Sequence, residues 1–155
     1  MDRRTALVRV LGGALTAGAA LSGCDLLTPE PPPPHPLLAM LHDTRVQLAR
    51  YEAAITAHPG LAERLRPLRD NHTAHVTTLA KLVGPQASAS PSAAASASAP
   101  ATPPADEKAA LAALLTAERD GQAYAVKACL AARDEYAGLL GAIAACRASH
   151  AEVLK

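Results

Sequence analysis

The feature that most limits the fold is a periodic stripe of leucines and histidines in the middle of the chain. Its members stand at alternating steps of four and three residues, the spacing that places side chains on one face of an α-helix. They are Leu61, Leu65, Leu68, His72, His75, Leu79 and Leu82. A second stripe with similar spacing consists of Tyr136, Leu140, Ile143, Arg147, His150 and Leu154. Both stripes predict helices that bury this face against other helices.

The composition favours an all-α fold. The 155 residues include no Phe, no Trp and only three Tyr, although half of the chain is hydrophobic. Much of that half is alanine, which favours helix. A β-sandwich or barrel would instead require short alternating runs of β-branched and aromatic residues. Roughly a hundred residues remain for a core after the biased segments are set aside, which is enough for one domain.

The pattern predicts four helices arranged as two helical hairpins. Their expected ranges are about 37–57, 61–83, 106–132 and 134–154. Pro67 is expected to bend or restart the second helix, because proline removes a backbone N–H from the helical ladder. Asp134 is expected to cap the fourth helix. A shift of 75 residues lays His75 on His150 and Asp43 on Glu118, so the two hairpins look like an internal repeat.

The segment 84–105 is expected to be a disordered crossover between the hairpins. It is rich in Ala, Ser and Pro, shows no periodicity and carries almost no charge. A flexible linker of about 20 residues spans roughly 25 Å, which is close to the length of one helix. The sequence therefore predicts one bundle over 37–155, interrupted by a linker that is long enough to cross it from end to end.

The first 23 residues have the layout of an export signal. A basic segment, Met1–Arg9, precedes an apolar run at 10–21 that is too short to span a bilayer comfortably. The run ends in Leu21-Ser22-Gly23-Cys24, which resembles the lipobox of bacterial lipoproteins. That resemblance implies acyl chains on Cys24 and a lipid-anchored protein on the extracytoplasmic side of the cell membrane. The alternative is an uncleaved anchor in which the cysteine is incidental.

Two export routes fit the sequence, the twin-arginine route and the general route. Arg3 and Arg4 resemble the twin-arginine signal, but Asp2 replaces the Ser or Thr that usually precedes the pair, so the general route also fits. After the lipidated cysteine, residues 24–36 include four consecutive prolines and are expected to form a semi-rigid tether.

The charge and the motifs exclude several function classes. The net charge is +1, and removing the first 23 residues, which carry +2, leaves −1. A nearly neutral chain with so few aromatic residues offers neither a basic stripe nor a stacking platform for nucleic acid. No catalytic Ser-His-Asp or Cys-His arrangement and no Gly-rich phosphate loop is legible. The sequence therefore predicts no catalytic residue, and it identifies no protein partner.

Ionisable residues interrupt the apolar seam of each predicted helix at one level. They are His42 and Asp43 on the first helix, His72 and His75 on the second, Glu118 on the third, and Arg147 and His150 on the fourth. Burying such groups is unfavourable unless they pair with one another or bind a metal ion.

This arrangement resembles the ferritin-like superfamily, in particular its small exported bacterial lipoproteins with a ferritin-like domain of unknown function. Metal-binding members carry Glu on helices 1 and 3 and a Glu-x-x-His motif on helices 2 and 4. By this resemblance the two single Glu positions fall on Asp43 or His42 and on Glu118. The two paired motifs fall on 72–75 and 147–150, where both Glu are missing and one is replaced by an arginine. A di-iron centre relies on several carboxylates, so the sequence does not predict one.

Two readings of the core remain open. The main expectation is a degenerate ferritin-like bundle that acts as a binding or structural module of the cell envelope, with Arg147 paired to Glu118. The alternative is a mononuclear metal protein that stores, senses or uses one Zn, Mn or Fe ion. Its candidate ligands are His42, Asp43, His72, His75, Glu118 and His150.

Cys129 and Cys146 are not expected to form a disulfide in the simplest register. Folding the third helix onto the fourth offsets the two cysteines by roughly 12 Å along the axis, which is too far for a disulfide. A shifted register would be needed to bridge them, so both are expected to be small buried residues.

Overall fold

The computed structural model describes residues 32–88, 102–132 and 134–155, without the side chain of Asp134. Several of the predicted features lie outside the described residues. They are the signal peptide at 1–23, Cys24, most of the tether at 24–36, the centre of the linker and the cap at Asp134. The helices are α1 Leu38–Ala57, α2 Ala62–Val83, α3 Glu107–Ala131 and α4 Asp134–Val153. The described ranges contain no strand, so the prediction of an all-α four-helix bundle is confirmed. No helix within these ranges is both long and apolar enough to cross a membrane.

The helix ends follow from local chemistry. The side chain of Asp106 caps α3 by accepting a hydrogen bond from the backbone N–H of Ala109 at 3.0 Å. Gly84 ends α2 with a φ of 67°, in the left-handed region that glycine adopts without a steric penalty. Short 3₁₀ turns at Pro59–Leu61 and Gly84–Ser88 flank α2.

Pro67 does not restart α2, which corrects one of the two alternatives expected from the sequence, a bend or a restart. The helix is continuous from Ala62 to Val83 with Pro67 inside it. The proline itself is exposed, while Leu65 and Leu68 on either side are buried in the core. Burial of the apolar face therefore holds the helix together where one backbone hydrogen bond is missing.

A polar layer separates two apolar clusters in the bundle. One cluster lies around the start of α1 and the end of α2 and includes Leu41, Leu79 and Ile143. The other lies around the end of α1 and the start of α2 and includes Leu65 and Leu154. Between them, the helices contribute buried polar side chains, which are Thr44, Gln47, His72, Glu118, Arg147 and His150.

The chain on each side of the linker is fixed at opposite ends of α1. After α2, the carbonyl of Ala87 accepts a hydrogen bond from Arg45 at 2.8 Å, near the start of α1. Before α3, the carbonyl of Pro104 lies 2.8 Å from Nε2 of His58, just beyond the end of α1. The described ends of the linker are therefore held at opposite ends of α1.

Replacing Pro67 with alanine is expected to stabilise the protein by about 1–3 kcal/mol, because the new N–H can bond to the carbonyl of Glu63 and the proline ring is removed. Urea unfolding followed by circular dichroism measures this change. An unchanged or lower midpoint would contradict the prediction and would mean that the proline is accommodated without loss in this helix.

Candidate metal centre

One carboxylate oxygen connects all four helices. Oε1 of Glu118 on α3 accepts a hydrogen bond from the hydroxyl of Tyr51 on α1 at 2.7 Å. It lies 2.7 Å from Nε2 of His72 on α2 and 3.2 Å from Nδ1 of His150 on α4. Each of these side chains is buried, and the most exposed of them, that of His150, is only 4% exposed. We call these four residues the Glu118 cluster.

The cluster holds its carboxyl group ionised. Burial alone would raise the pKa of Glu118, but the hydrogen bonds from His150 and His72 outweigh it and hold the pKa well below its ordinary value. Burial lowers the pKa of His72, so its imidazole is neutral and donates through Nε2. Burial and the charge of Glu118 raise the pKa of Tyr51, which keeps the hydroxyl protonated as a donor.

His150 balances the charge of the carboxylate. Burial lowers its pKa, but the hydrogen bonds to Cys146 and Glu118 outweigh burial and raise the pKa to about 9. Its Nε2 lies 3.3 Å from Sγ of Cys146 and 3.1 Å from the side-chain nitrogen of Asn71. Cys146 therefore contacts the cluster, and neither it nor Cys129 forms a disulfide.

Arg147 pairs with Asp43, which corrects the expected pair with Glu118. Nη2 of Arg147 donates to Oδ2 of Asp43 at 2.6 Å, and the arginine side chain is 1% exposed. Among the described residues no ion pair joins Arg147 to Glu118. The physical reason is steric, because the guanidinium occupies the space beside Gly121 on α3 and from there reaches Asp43 on α1.

Gly121 provides the space that the guanidinium occupies. A Cβ at this position would overlap Nη1 of Arg147 and would lie only 2.7 Å from its Cζ. Gly121 follows Glu118 by three residues, so both lie on the same face of α3. This face therefore presents an anion to the histidines and, one turn later, a gap to the arginine.

Three of the six candidate ligands come together. His72, Glu118 and His150 each offer one ligand atom, and these three atoms lie within 4.8 Å of one another. They form the only group of this kind in the part of the chain that the structure describes.

The other three candidates lie outside this group. Asp43 is engaged by Arg147. His42 and His75 each have a buried ring nitrogen without a hydrogen-bond partner, Nε2 in His42 and Nδ1 in His75. Burial lowers the pKa of His75 to about 4, so its ring is neutral at physiological pH.

Sequence reasoning missed Tyr51 and Gly121 as parts of the site. Periodicity alone places Tyr51 among the apolar residues of its helix, and only the choice of Tyr in a chain without Phe indicates that its hydroxyl has a partner. Gly121 lies in the middle of a helix, where glycine is unfavourable, and this cost is the signal that points to a packing role.

The donor set fits a single divalent transition-metal ion. Two imidazole nitrogens and one carboxylate oxygen are the protein ligands of open zinc sites and of non-haem iron sites. Ligand atoms of a tetrahedral site at about 2.0–2.2 Å from the metal are roughly 3.4 Å apart. The present separations of 2.7 and 3.2 Å between Oε1 of Glu118 and the two rings are hydrogen-bond lengths, so the groups would move apart by about 0.7 and 0.2 Å to hold an ion. Oε2 of Glu118 is buried without a partner and is a further acceptor for a cation.

The same residues do not fit a two-metal centre. A pair of ions needs several bridging carboxylates, and Glu118 is the only carboxylate in the group. The nearby charges of Arg147 and Asp43 are already paired with each other. The site is therefore suited to one ion.

A groove of about 720 Å³ lies beside the cluster, between α1, α3 and the segment at 102–104. Its lining includes Asp43 and Gly121, the two residues that flank Arg147, but none of His72, Glu118 and His150. The ion pair between Arg147 and Asp43 therefore borders the groove, whereas the candidate ligands do not line it.

Substituting Gly121 with alanine is expected to destabilise the fold by about 1–3 kcal/mol, because the new methyl group forces the buried guanidinium away. The matched control is Gly138→Ala on α4, where a Cβ meets no atom within 4 Å and the higher helix propensity is expected to stabilise the protein slightly. Denaturant unfolding of both variants measures the difference. In an Arg147→Met background the cost of Gly121→Ala is expected to vanish, and an equal cost in both backgrounds would contradict the steric explanation.

Comparison with known proteins gives one family. Residues 41–155 match the family described as ferritin-like domain, and this range includes His72, Glu118 and His150. No curated protein and no solved structure matches the chain. Because the match covers more than half of the sequence and most of the four-helix bundle, the chain belongs to the ferritin-like domain family.

Proposed function

We propose that this protein is a lipid-anchored ferritin-like protein of the extracytoplasmic membrane face that binds one divalent transition-metal ion. His72, Glu118 and His150 are the protein ligands. The observation that carries the proposal is the convergence of their three ligand atoms, from three different helices, within 4.8 Å in the interior. This favours the metal-binding alternative over a purely structural bundle.

The charges around the site support this choice. An arginine bonded to Glu118 would have supplied the positive charge that the carboxylate needs and would have opposed a cation. Arg147 instead forms its ion pair with Asp43. Glu118 is left with two imidazoles and a phenol. The protonated ring of His150 can release a proton when a metal ion binds, and the neutral ring of His72 can carry its proton on the unpartnered Nδ1 and leave Nε2 free for the ion.

The outer contacts support the ligands in their orientations. Tyr51 donates to Glu118, and Asn71 lies beside Nε2 of His150, the ring nitrogen that does not face the carboxylate. Such outer contacts fix the orientation of a ligand and are typical of metal sites. Zn²⁺ is the expected ion, because it binds nitrogen-rich sites more tightly than Fe²⁺ or Mn²⁺.

Anchoring by acyl chains on Cys24 is the second part of the proposal. It is supported by the order of a basic segment, a short apolar run and a lipobox-like sequence at the start of the chain. Two acyl chains suffice for stable membrane attachment. This would hold the metal-binding domain at the envelope.

The full chain, purified without chelators and incubated with Zn²⁺, is expected to bind about one equivalent, because the donor set has three protein ligands and one open position. His72→Gln is expected to weaken binding by at least about tenfold, as even the loss of an outer contact costs 10–100-fold. The matched control is His58→Gln, which alters a buried histidine that contacts Pro104 instead of the cluster. Mass spectrometry of metal content and competition with a chelating indicator measure both quantities.

Cobalt provides a readout that does not depend on any variant. Co²⁺ in the site is expected to give visible absorption bands of nitrogen and oxygen ligation without a thiolate charge-transfer band, because Cys146 faces the ring nitrogen that does not bind the ion. A wild-type protein that takes up no Zn²⁺, Mn²⁺ or anaerobic Fe²⁺ would contradict metal binding and leave a structural bundle.

Cys24→Ser is expected to move the protein from the membrane fraction to the soluble fraction of a bacterial host, because no acyl chains can be attached. Fractionation and labelling with radioactive palmitate measure this change. Cys129→Ser serves as the control, since Cys129 lies on α3, where its thiol bonds to the carbonyl of Ala137, and its substitution should leave the distribution unchanged. Equal membrane association of Cys24→Ser and wild type would refute lipid anchoring at this residue.

A further inference from the structure

We infer that His75 is a transient ligand that passes the metal ion between solvent and the buried site, an inference that rests on the proposed function. The three resident ligands are at most 4% exposed, so an ion cannot reach them without passing other side chains. The question is which side of the cluster offers a passage that a divalent cation can use.

The side that faces the groove is unfavourable for a cation. Asp43 and Gly121 line the groove, and the buried guanidinium of Arg147 lies against both of them. A divalent ion on this path would have to pass a fixed positive charge in a medium of low dielectric constant, where repulsion is strong. Asp43 offsets this charge only from the outside, because its side chain is 35% exposed.

His75 lies on α2, beside the candidate site and on the way to the surface. It follows His72 by one turn, and its ring stands edge-on to the ring of His72 with the centroids 6.3 Å apart. His75 is only partly buried, whereas His72 is fully buried. Its ring therefore reaches from the surface of the bundle to the edge of the candidate site.

The buried nitrogen of His75 has no other role in the described structure. Nδ1 has no hydrogen-bond partner, which is a costly state for a buried polar atom. The other polar groups around the three resident ligands already have partners. Tyr51 donates to Glu118, and both Asn71 and Cys146 contact Nε2 of His150. His75 therefore lies next to the resident ligands and has a ring nitrogen that can coordinate an ion in transit.

A ligand used only in transit changes rates and leaves the equilibrium unchanged. It lowers the barrier to uptake and the barrier to release by the same amount, because both pass through the same intermediate position. A fourth resident ligand would behave differently, since its loss would weaken equilibrium binding. The two roles are therefore separable by measuring rates and affinity on the same variant.

The test measures Zn²⁺ uptake by stopped-flow and Zn²⁺ release to excess chelator for the full chain. In His75→Gln both rate constants are expected to fall by about tenfold or more, while the dissociation constant stays within about twofold of wild type. His42→Gln is the matched control, because it also removes a partly buried histidine with an unpartnered nitrogen but outside the cluster. His75→Ala with added imidazole is expected to recover the wild-type uptake rate, which a misfolded variant would not do.

The outcomes distinguish this inference from the proposed function. Unchanged rates in His75→Gln overturn the inference alone, and so does a large loss of affinity, which would make His75 a resident ligand. A wild-type protein that binds no Zn²⁺ overturns the proposed function, and the inference with it.

Discussion

The hydrogen bonds that converge on Oε1 of Glu118 are the interaction on which the bundle depends. An ionised carboxylate in the interior is strongly unfavourable unless donors surround it. Here the donors come from three other helices, through Tyr51, His72 and His150. The same bonds therefore solvate the charge and fix the rotation of each helix about its own axis. Without the carboxylate, a hydroxyl and two imidazoles would be left buried and unpaired.

This polar layer gives the core a specificity that its apolar residues do not provide. The two apolar clusters consist largely of Leu and Ala, whose contacts tolerate small shifts along a helix. Hydrogen bonds tolerate such shifts poorly, because their energy depends on distance and angle. The ion pair between Arg147 and Asp43 adds a second constraint, and it exists only because Gly121 leaves room for the guanidinium. The proposed metal ligands thus also take part in fixing the register of the helices.

The sequence predicted the site in part. The stripes on α2 and α4 correctly placed His72 and His150 in the core, and Glu118 was expected at the same level. The partner of Arg147 was not predictable from its spacing, because Asp43 and Glu118 both lie within the reach of a long side chain. Which of them it meets depends on how far each helix is rotated. Tyr51 was missed since periodicity reports which face is buried and not what a hydroxyl on that face contacts.

The sequence by itself determined the helices, their limits and the level at which polar groups interrupt the core. These properties are local, because they depend on periodicity, capping residues and breakers within one segment. Only the tertiary structure decided that three of six candidate ligands converge, that Arg147 turns to α1, and that His75 stands at the edge of the site. A displacement of about one ångström is enough to break a hydrogen bond or an ion pair, or to move a ligand atom out of reach of a metal ion. That precision is set by the packing of the helices against one another.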